Sequence, residues 1–216
     1  MAHGSAWRAI RLSIRIAMIV EGRTEHAFLP ALRKFLERHL AAEMPKLQII
    51  QQDGRIPTGP KLQRLVQTLF AGSHPADYVI ALSDVYTGTG EFRDATDAIS
   101  KMKSWVGNEP RFYPHVALHD FEAWLLPYWS KIQRLAKTQM PRPGGAPESI
   151  NHGNPPSHRI IMAYRNGNVT KDYKKTVDAA KILDGEDLAI AANECPQFKA
   201  LLNTIISVIC GKPQLN

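Results

Sequence analysis

The chain has 216 residues, 44% apolar and 22% charged, which is material for one well-filled core and excludes disorder as its general state. Lysine and arginine outnumber the acids 27 to 20, and the net +7 favours a polyanionic partner without naming one. The longest apolar runs, Ile16–Val20 and Leu201–Ile209, fall short of the roughly 20 residues that a membrane-spanning helix needs, so no membrane span is expected.

Ile14–Val20 is a nearly continuous apolar run stopped by Glu21-Gly22, the pattern of a strand buried on both faces of a parallel sheet. Thr24 can cap the helix that follows, in which Phe28, Leu29, Leu32, Phe35, Leu36 and Leu40 recur at helical spacing to about Ala42. Leu47–Gln51 reads as a second strand. Gly59-Pro60 then punctuates before an amphipathic stretch with Leu62, Leu65, Val66, Leu69 and Phe70 on one face. Tyr78–Leu82 reads as the third strand, Asp94–Val106 as a helix, Phe112–Leu118 as the fourth strand and Phe121–Leu135 as a further helix. Prolines, glycines and asparagines crowd 138–156, a loop of unusual length. Ser157–Tyr164, Tyr173–Leu183, Glu186–Asn193 and Gln197–Cys210 read as short helices with no strand between them.

The alternation predicts an α/β fold: a Rossmann-like, mostly parallel sheet of about four strands with helices on both faces. Residues 1–137 are expected to form this α/β domain, 138–156 a Pro/Gly-rich loop, and 157–216 a small helical extension packed on the sheet. Cys195 and Cys210 support neither a disulfide framework nor a zinc site and point to a reducing compartment. Met1–Trp7 lacks the apolar stretch of a secretory signal, and a cytoplasmic location is expected.

In such folds functional groups gather at the carboxyl ends of the strands. Three predicted strands end in acids: Val20 precedes Glu21, Ser83 precedes Asp84, and Leu118 precedes His119-Asp120-Phe121-Glu122. Carboxylates at neighbouring strand ends form a hard oxygen donor set suited to Mg²⁺ or Mn²⁺, ions that activate water and neutralise charge on a scissile phosphate. Plainer roles stand beside this one. Glu25 lies in a first helical turn, where the macrodipole alone favours an acid, and Asp120 and Glu122 have the positions of an N-cap and a first-turn acid. Residues two apart do not share a helix face, so only one of Asp120 and Glu122 is expected to face the cluster. Phe121 and Trp124 are expected in the core, and Tyr86 could stack on a base. Gly88-Thr89-Gly90 lacks the spacing of a phosphate-binding loop and reads as a plain turn. No role is assigned to His119. Residues 136–181 carry eight lysines and arginines against three acids, a basic flank suited to a nucleic-acid backbone.

Glu21-Gly22 followed by Thr24-Glu25, and the apolar strand ending in Asp84, resemble the TOPRIM fold of topoisomerases, primases and the OLD (overcoming lysogenization defect) and RloB nucleases. Downstream, Asp84-Val85-Tyr86-Thr87-Gly88, Phe92, His119-Asp120-Phe121-Glu122-Ala123, Tyr173 with Lys175, and Cys195-Pro196 with Phe198 are similar, in order, to the bacterial TOPRIM-like domain of unknown function family 4276. The resemblance spans about residues 14 to 205. TOPRIM enzymes generally carry Asp-x-Asp where this chain has Asp84-Val85-Tyr86, so one carboxylate is missing, and His119-Asp120-Phe121-Glu122 is the substitute source of ligands.

The resemblance implies a Mg²⁺- or Mn²⁺-dependent nuclease hydrolysing DNA or RNA phosphodiesters, the effector of an antiphage system with an ATPase partner. Glu21, Glu25, Asp84, Asp120 and Glu122 would serve the metal, with Glu21 and Asp84 central to catalysis. Lys175, in the shared Tyr-x-Lys pattern, would neutralise charge on the phosphorane or contact phosphate. The missing second Asp keeps a different expectation open, that of a non-catalytic adaptor binding nucleic acid or a protein partner. A mononucleotide-binding regulatory domain is a third, against which the acidic cluster stands, since it repels phosphate.

Overall fold

The computed structural model describes residues 13–22, 24–40, 43–52, 54–85, 92–149, 154–167, 172–211 and 215. Along the chain β1 (Arg15–Val20), α1 (Thr24–His39), β2 (Lys46–Gln51), α2 (Pro60–Ala71), β3 (Tyr78–Val85), α3 (Ala95–Val106) and β4 (Phe112–Leu118) alternate as the apolar patterning predicts. The strands are all parallel, in the order β2-β1-β3-β4.

Both faces of the sheet are covered, which is why β1 reads as an unbroken apolar run. Its Ile16, Met18 and Val20 join one core with Phe28, Leu32 and Leu36 of α1, while Ala17 and Ile19 join a second core with Leu62 and Val66 of α2 and Ala98 and Met102 of α3. Local chemistry sets the helix starts. Pro60 occupies the first turn of α2, and Asp94 caps α3 by accepting from Asp97 N at 2.8 Å.

Two elements differ from the sequence reading. β3 runs on to Val85, three residues beyond the expected end at Leu82, because β4 pairs Ser83, Asp84 and Val85 with Val116, Ala117 and Leu118. The single helix expected over 121–135 is a 3₁₀ helix, Phe121–Tyr128, followed by α4 (Trp129–Ala136). Pro127 has no N–H to donate and breaks a continuous α-helical ladder there.

The remaining helices are α5 (Pro156–Arg165), α6 (Lys175–Leu183), α7 (Leu188–Glu194) and α8 (Pro196–Cys210). They share the core that contains α1, with α6 against α1 and α8 against β4, where His115 Nε2 and Thr204 Oγ1 lie 2.9 Å apart. The Pro/Gly-rich stretch is pinned where it is described. Trp129 Nε1 donates to Met140 O at 2.9 Å, and a 3₁₀ turn at Pro147–Ser149 holds Glu148 against α8.

Four aromatic rings bridge the layers. Phe28 meets Phe121 and Phe198 edge-on at 5.9 and 5.6 Å, Trp124 meets Phe121 at 5.4 Å, and Trp124 lies 4.6 Å from Phe198. Phe121 and Trp124 are buried in this group and present no face to a base.

Candidate functional site: a buried acid cluster at the strand ends

The chain leaves β1 for β2 on one side, whereas β3 and β4 lie on the other, so the crevice between β1 and β3 is the topological switch point of the sheet. Glu21 follows β1 directly and Asp84 lies in the last turn-ward part of β3. Glu21 Oε1 reaches across the crevice, accepting from Ser83 Oγ at 2.5 Å and from Asp84 N at 3.2 Å. Ser83 was not singled out in the sequence, although a hydroxyl beside a strand-end acid was the available signal.

Glu25 enters from the first turn of α1 and is 4% exposed. A Cβ at Gly22 would stand 3.4 Å from Glu25 Oε2, so glycine keeps that side of the carboxylate open. Asp120 and Glu122 enter from beyond β4. His119 between them and the strand has φ 75°, a left-handed conformation uncommon outside glycine, and it turns the chain sharply off the sheet. Asp120 is fully buried, and its Oδ2 accepts from Ser157 N at 3.1 Å. Glu122, 1% exposed, accepts from Tyr173 OH at 3.4 Å and from Lys175 Nζ at 3.2 Å.

Burial raises the pKa of all five acids. Asp84 is pushed well above the usual carboxylate range by burial and then by the charges of Glu21, Glu25, Asp120 and Glu122, so the other four acids all act on it. For Glu21 the hydrogen bonds from Ser83 and Asp84 offset part of the burial, and Glu122 is pushed up to about 7 by burial and by Asp120. Asp120 and Glu122 therefore both belong to the cluster electrostatically. The expectation that only one would face it assumed both on a helix, whereas Asp120 has extended backbone outside the 3₁₀ helix. Burial works against the Lys175 ammonium, yet Glu122 and Asp120 hold its pKa above the ordinary lysine value.

Among the described residues, three buried carboxylate oxygens, Glu25 Oε2, Asp84 Oδ1 and Asp120 Oδ1, have no hydrogen-bond partner. Unsatisfied buried acceptors are costly and uncommon, and oxygen donors of this kind suit a hard divalent cation. The donor chemistry thus fits Mg²⁺ or Mn²⁺. Among the described residues, however, no three His, Cys, Asp or Glu side chains stand close enough together to hold an ion as they are, so the carboxylates would have to draw in around one.

Other expectations fare differently. Half of the basic flank is paired within the fold: Arg142 with Glu194, Arg165 with Asp172, Lys175 with Glu122 and Lys181 with Asp178. Intramolecular partners leave less of its charge for phosphate than the count over 136–181 suggests. Tyr86 and Gly88-Thr89-Gly90 lie outside the described residues. Cys195 is a buried thiol whose pKa is raised by burial, the profile of an inert core cysteine. Among the described residues, no helix is long and apolar enough to cross a membrane.

Compared with solved structures, the chain is similar to the C-terminal region of the Burkholderia pseudomallei OLD protein, with a TM-score of 0.52 at 13% identity over 90% of this chain and 98% of that one. The C-terminal region of the Xanthomonas campestris pv. campestris OLD protein gives a TM-score of 0.49 at 14% identity over 91% and 94%. At such identity the first likeness concerns the fold, and it agrees with the TOPRIM-like α/β fold expected from the motifs. No curated protein matches the sequence. The family model for the domain of unknown function DUF4276 matches residues 20–206, from the last residue of β1 through most of α8, and the chain belongs to that family.

Proposed function

We propose that the protein is a TOPRIM-like phosphodiesterase that hydrolyses nucleic acid with Mg²⁺ or Mn²⁺ held by Glu21, Glu25, Asp84, Asp120 and Glu122. The observation that carries this reading is that acids from the ends of β1, β3 and β4 and from the start of α1 act on one another around Asp84, with three buried carboxylate oxygens left unpaired among the described residues. A bound divalent ion would supply charge neutralisation at the scissile phosphate and a more acidic water. The chain's own residues set the frame. Ser83 and the Asp84 amide fix Glu21 across the crevice, Ser157 N fixes Asp120, and Tyr173 with Lys175 fixes Glu122. Lys175, half exposed beside the cluster, is the cation placed to meet a substrate phosphate. The likeness to the OLD C-terminal region supports this reading at the level of fold, and an antiphage role with an ATPase partner belongs to the same proposal.

The test is direct. Purified protein is incubated with single- and double-stranded DNA and RNA in Mg²⁺ or Mn²⁺. Cleavage of at least one substrate, abolished by chelator and by Asp84→Asn with the fold intact, is the expected result. Cleavage unchanged in both Glu21→Gln and Asp84→Asn would sink the mechanism.

One observation favours the adaptor reading, namely that no three potential ligands are pre-assembled among the described residues. An adaptor would bind nucleic acid equally well with chelator present, and Lys174→Ala with Lys175→Ala would flatten the salt dependence of that binding.

A further inference from the structure

This inference rests on the metal-dependent reading of the acid cluster and concerns what balances its charge before an ion binds. Like charges gathered in a poorly solvated crevice repel, and each also loses hydration, so a nearby cation favours their ionised forms where otherwise protons would be taken up. One side chain stands out in that role. Lys175 begins α6, 53 residues from its partner in sequence, and places Nζ 3.2 Å from Glu122 Oε2. Its charge also acts on Glu25, Asp84 and Asp120, so four of the five acids feel the same ammonium.

The two partners are unequally held. The Glu122 side chain is 1% exposed and has Tyr173 OH on its other oxygen, whereas the Lys175 side chain is 47% exposed. A lysine on a flexible four-carbon stem can swing its ammonium into water at little cost, while the carboxylate cannot leave. Glu122 would keep its place through Tyr173 once the lysine departs.

We propose that Lys175 is a resident counter-cation that competes with the divalent ion for the acid cluster, so that metal entry requires its ammonium to release Glu122. A single positive charge then stands in for a double one at Glu122. The lysine is a positioning and regulatory residue in this role, apart from any contact it makes with phosphate.

The experiment reads metal binding in the full chain without reference to cleavage. Calorimetric titration with Mn²⁺ is carried out on the wild type, Lys175→Met and Lys175→Arg, with the melting temperature of each recorded before and after Mn²⁺. Competition predicts Mn²⁺ binding roughly tenfold tighter in Lys175→Met, with a larger metal-induced rise in melting temperature, and near-wild-type behaviour in Lys175→Arg. Amine labelling of the wild type, read by mass spectrometry, covers the case in which Lys175→Met does not fold: Lys175 should become more reactive when Mn²⁺ is added. Equal or weaker Mn²⁺ binding by a folded Lys175→Met, or labelling of Lys175 unaffected by Mn²⁺ that binds, overturns the competition while leaving the metal-dependent reading in place. Absence of Mn²⁺ binding in every form overturns both.

Discussion

Two sets of buried carboxylates in this molecule have the same chemistry and opposite meanings. Glu148, 7% exposed in the Pro/Gly-rich stretch, is raised in pKa by burial just as the strand-end acids are. Its oxygens are fully used, however: Gln197 N donates at 3.0 Å, Phe198 N at 3.2 Å and Trp124 Nε1 at 3.0 Å, so Glu148 is an anionic cap on α8 and a tie between that helix and the aromatic group. Of the clustered acids, Glu25, Asp120 and Glu122 are buried at least as deeply and Glu21 and Asp84 are half-buried, but among the described residues three of their oxygens have no partner and their charges act on one another. Burial and a raised pKa therefore do not separate Glu148 from the acids proposed to hold metal. The fate of the acceptor lone pairs does.

That contrast can be broken most decisively at Asp84. Asp84→Asn should reduce Mg²⁺-dependent cleavage at least about 100-fold, because a ligand carboxylate is lost, while raising stability by about 1 kcal/mol through relief of repulsion with four acids. Nuclease assays and denaturant melts in chelator measure the two effects. A loss of stability with the loss of activity would place Asp84 with the structural acids. Glu148→Ala should behave in the opposite sense, costing about 3 kcal/mol by stranding three N–H donors, with metal affinity preserved in whatever fraction remains folded. Urea melts check this.

A buried base sharpens the comparison through pH. His115 is held neutral, its pKa lowered to about 4 by burial, with Lys103 adding repulsion. In the unfolded chain it titrates near its ordinary 6.5, so between pH 6.5 and about 4 the unfolded state binds the extra proton. Its contribution is fully present above pH 6.5 and is lost as pH falls through that window, by about 2 kcal/mol after allowance for solvent access. His115→Gln should flatten this acid limb in melts followed from pH 7.5 to 4.5. The smallest effect is expected at His119, where φ 75° penalises a β-branched residue: His119→Val should be less stable than His119→Asn by about 1 kcal/mol.

Much of the fold was legible because hydrophobic periodicity is a local signal. The strands and helices up to β4 follow it to within a few residues, and the acids at the ends of the first, third and fourth strands mark the crevice that the parallel order then builds. What was not legible depends on partners distant in the chain. The extra length of β3 comes from β4, some 30 residues on. Lys175 was marked as a phosphate contact by the basic flank and the Tyr-x-Lys pattern, but its pairing with Glu122 depends on the fold, and Glu148 sat in a loop with no periodicity to mark it as buried. The 3₁₀ helix over 121–128 was signalled by Pro127, but apolar spacing alone reads the same for either helix type.

The four-ring aromatic group also has a consequence for biosynthesis. Its rings come from Phe28, Phe121, Trp124 and Phe198, and the acids attach to the same segments, Glu25 three residues before Phe28 and Asp120 and Glu122 on either side of Phe121. Phe198 is the last of the four rings to leave the ribosome, 74 residues after Trp124. Until Phe198 has emerged and docked, the aromatic support shared by these segments is incomplete, so a nascent chain stopped short of it lacks the assembled acid array.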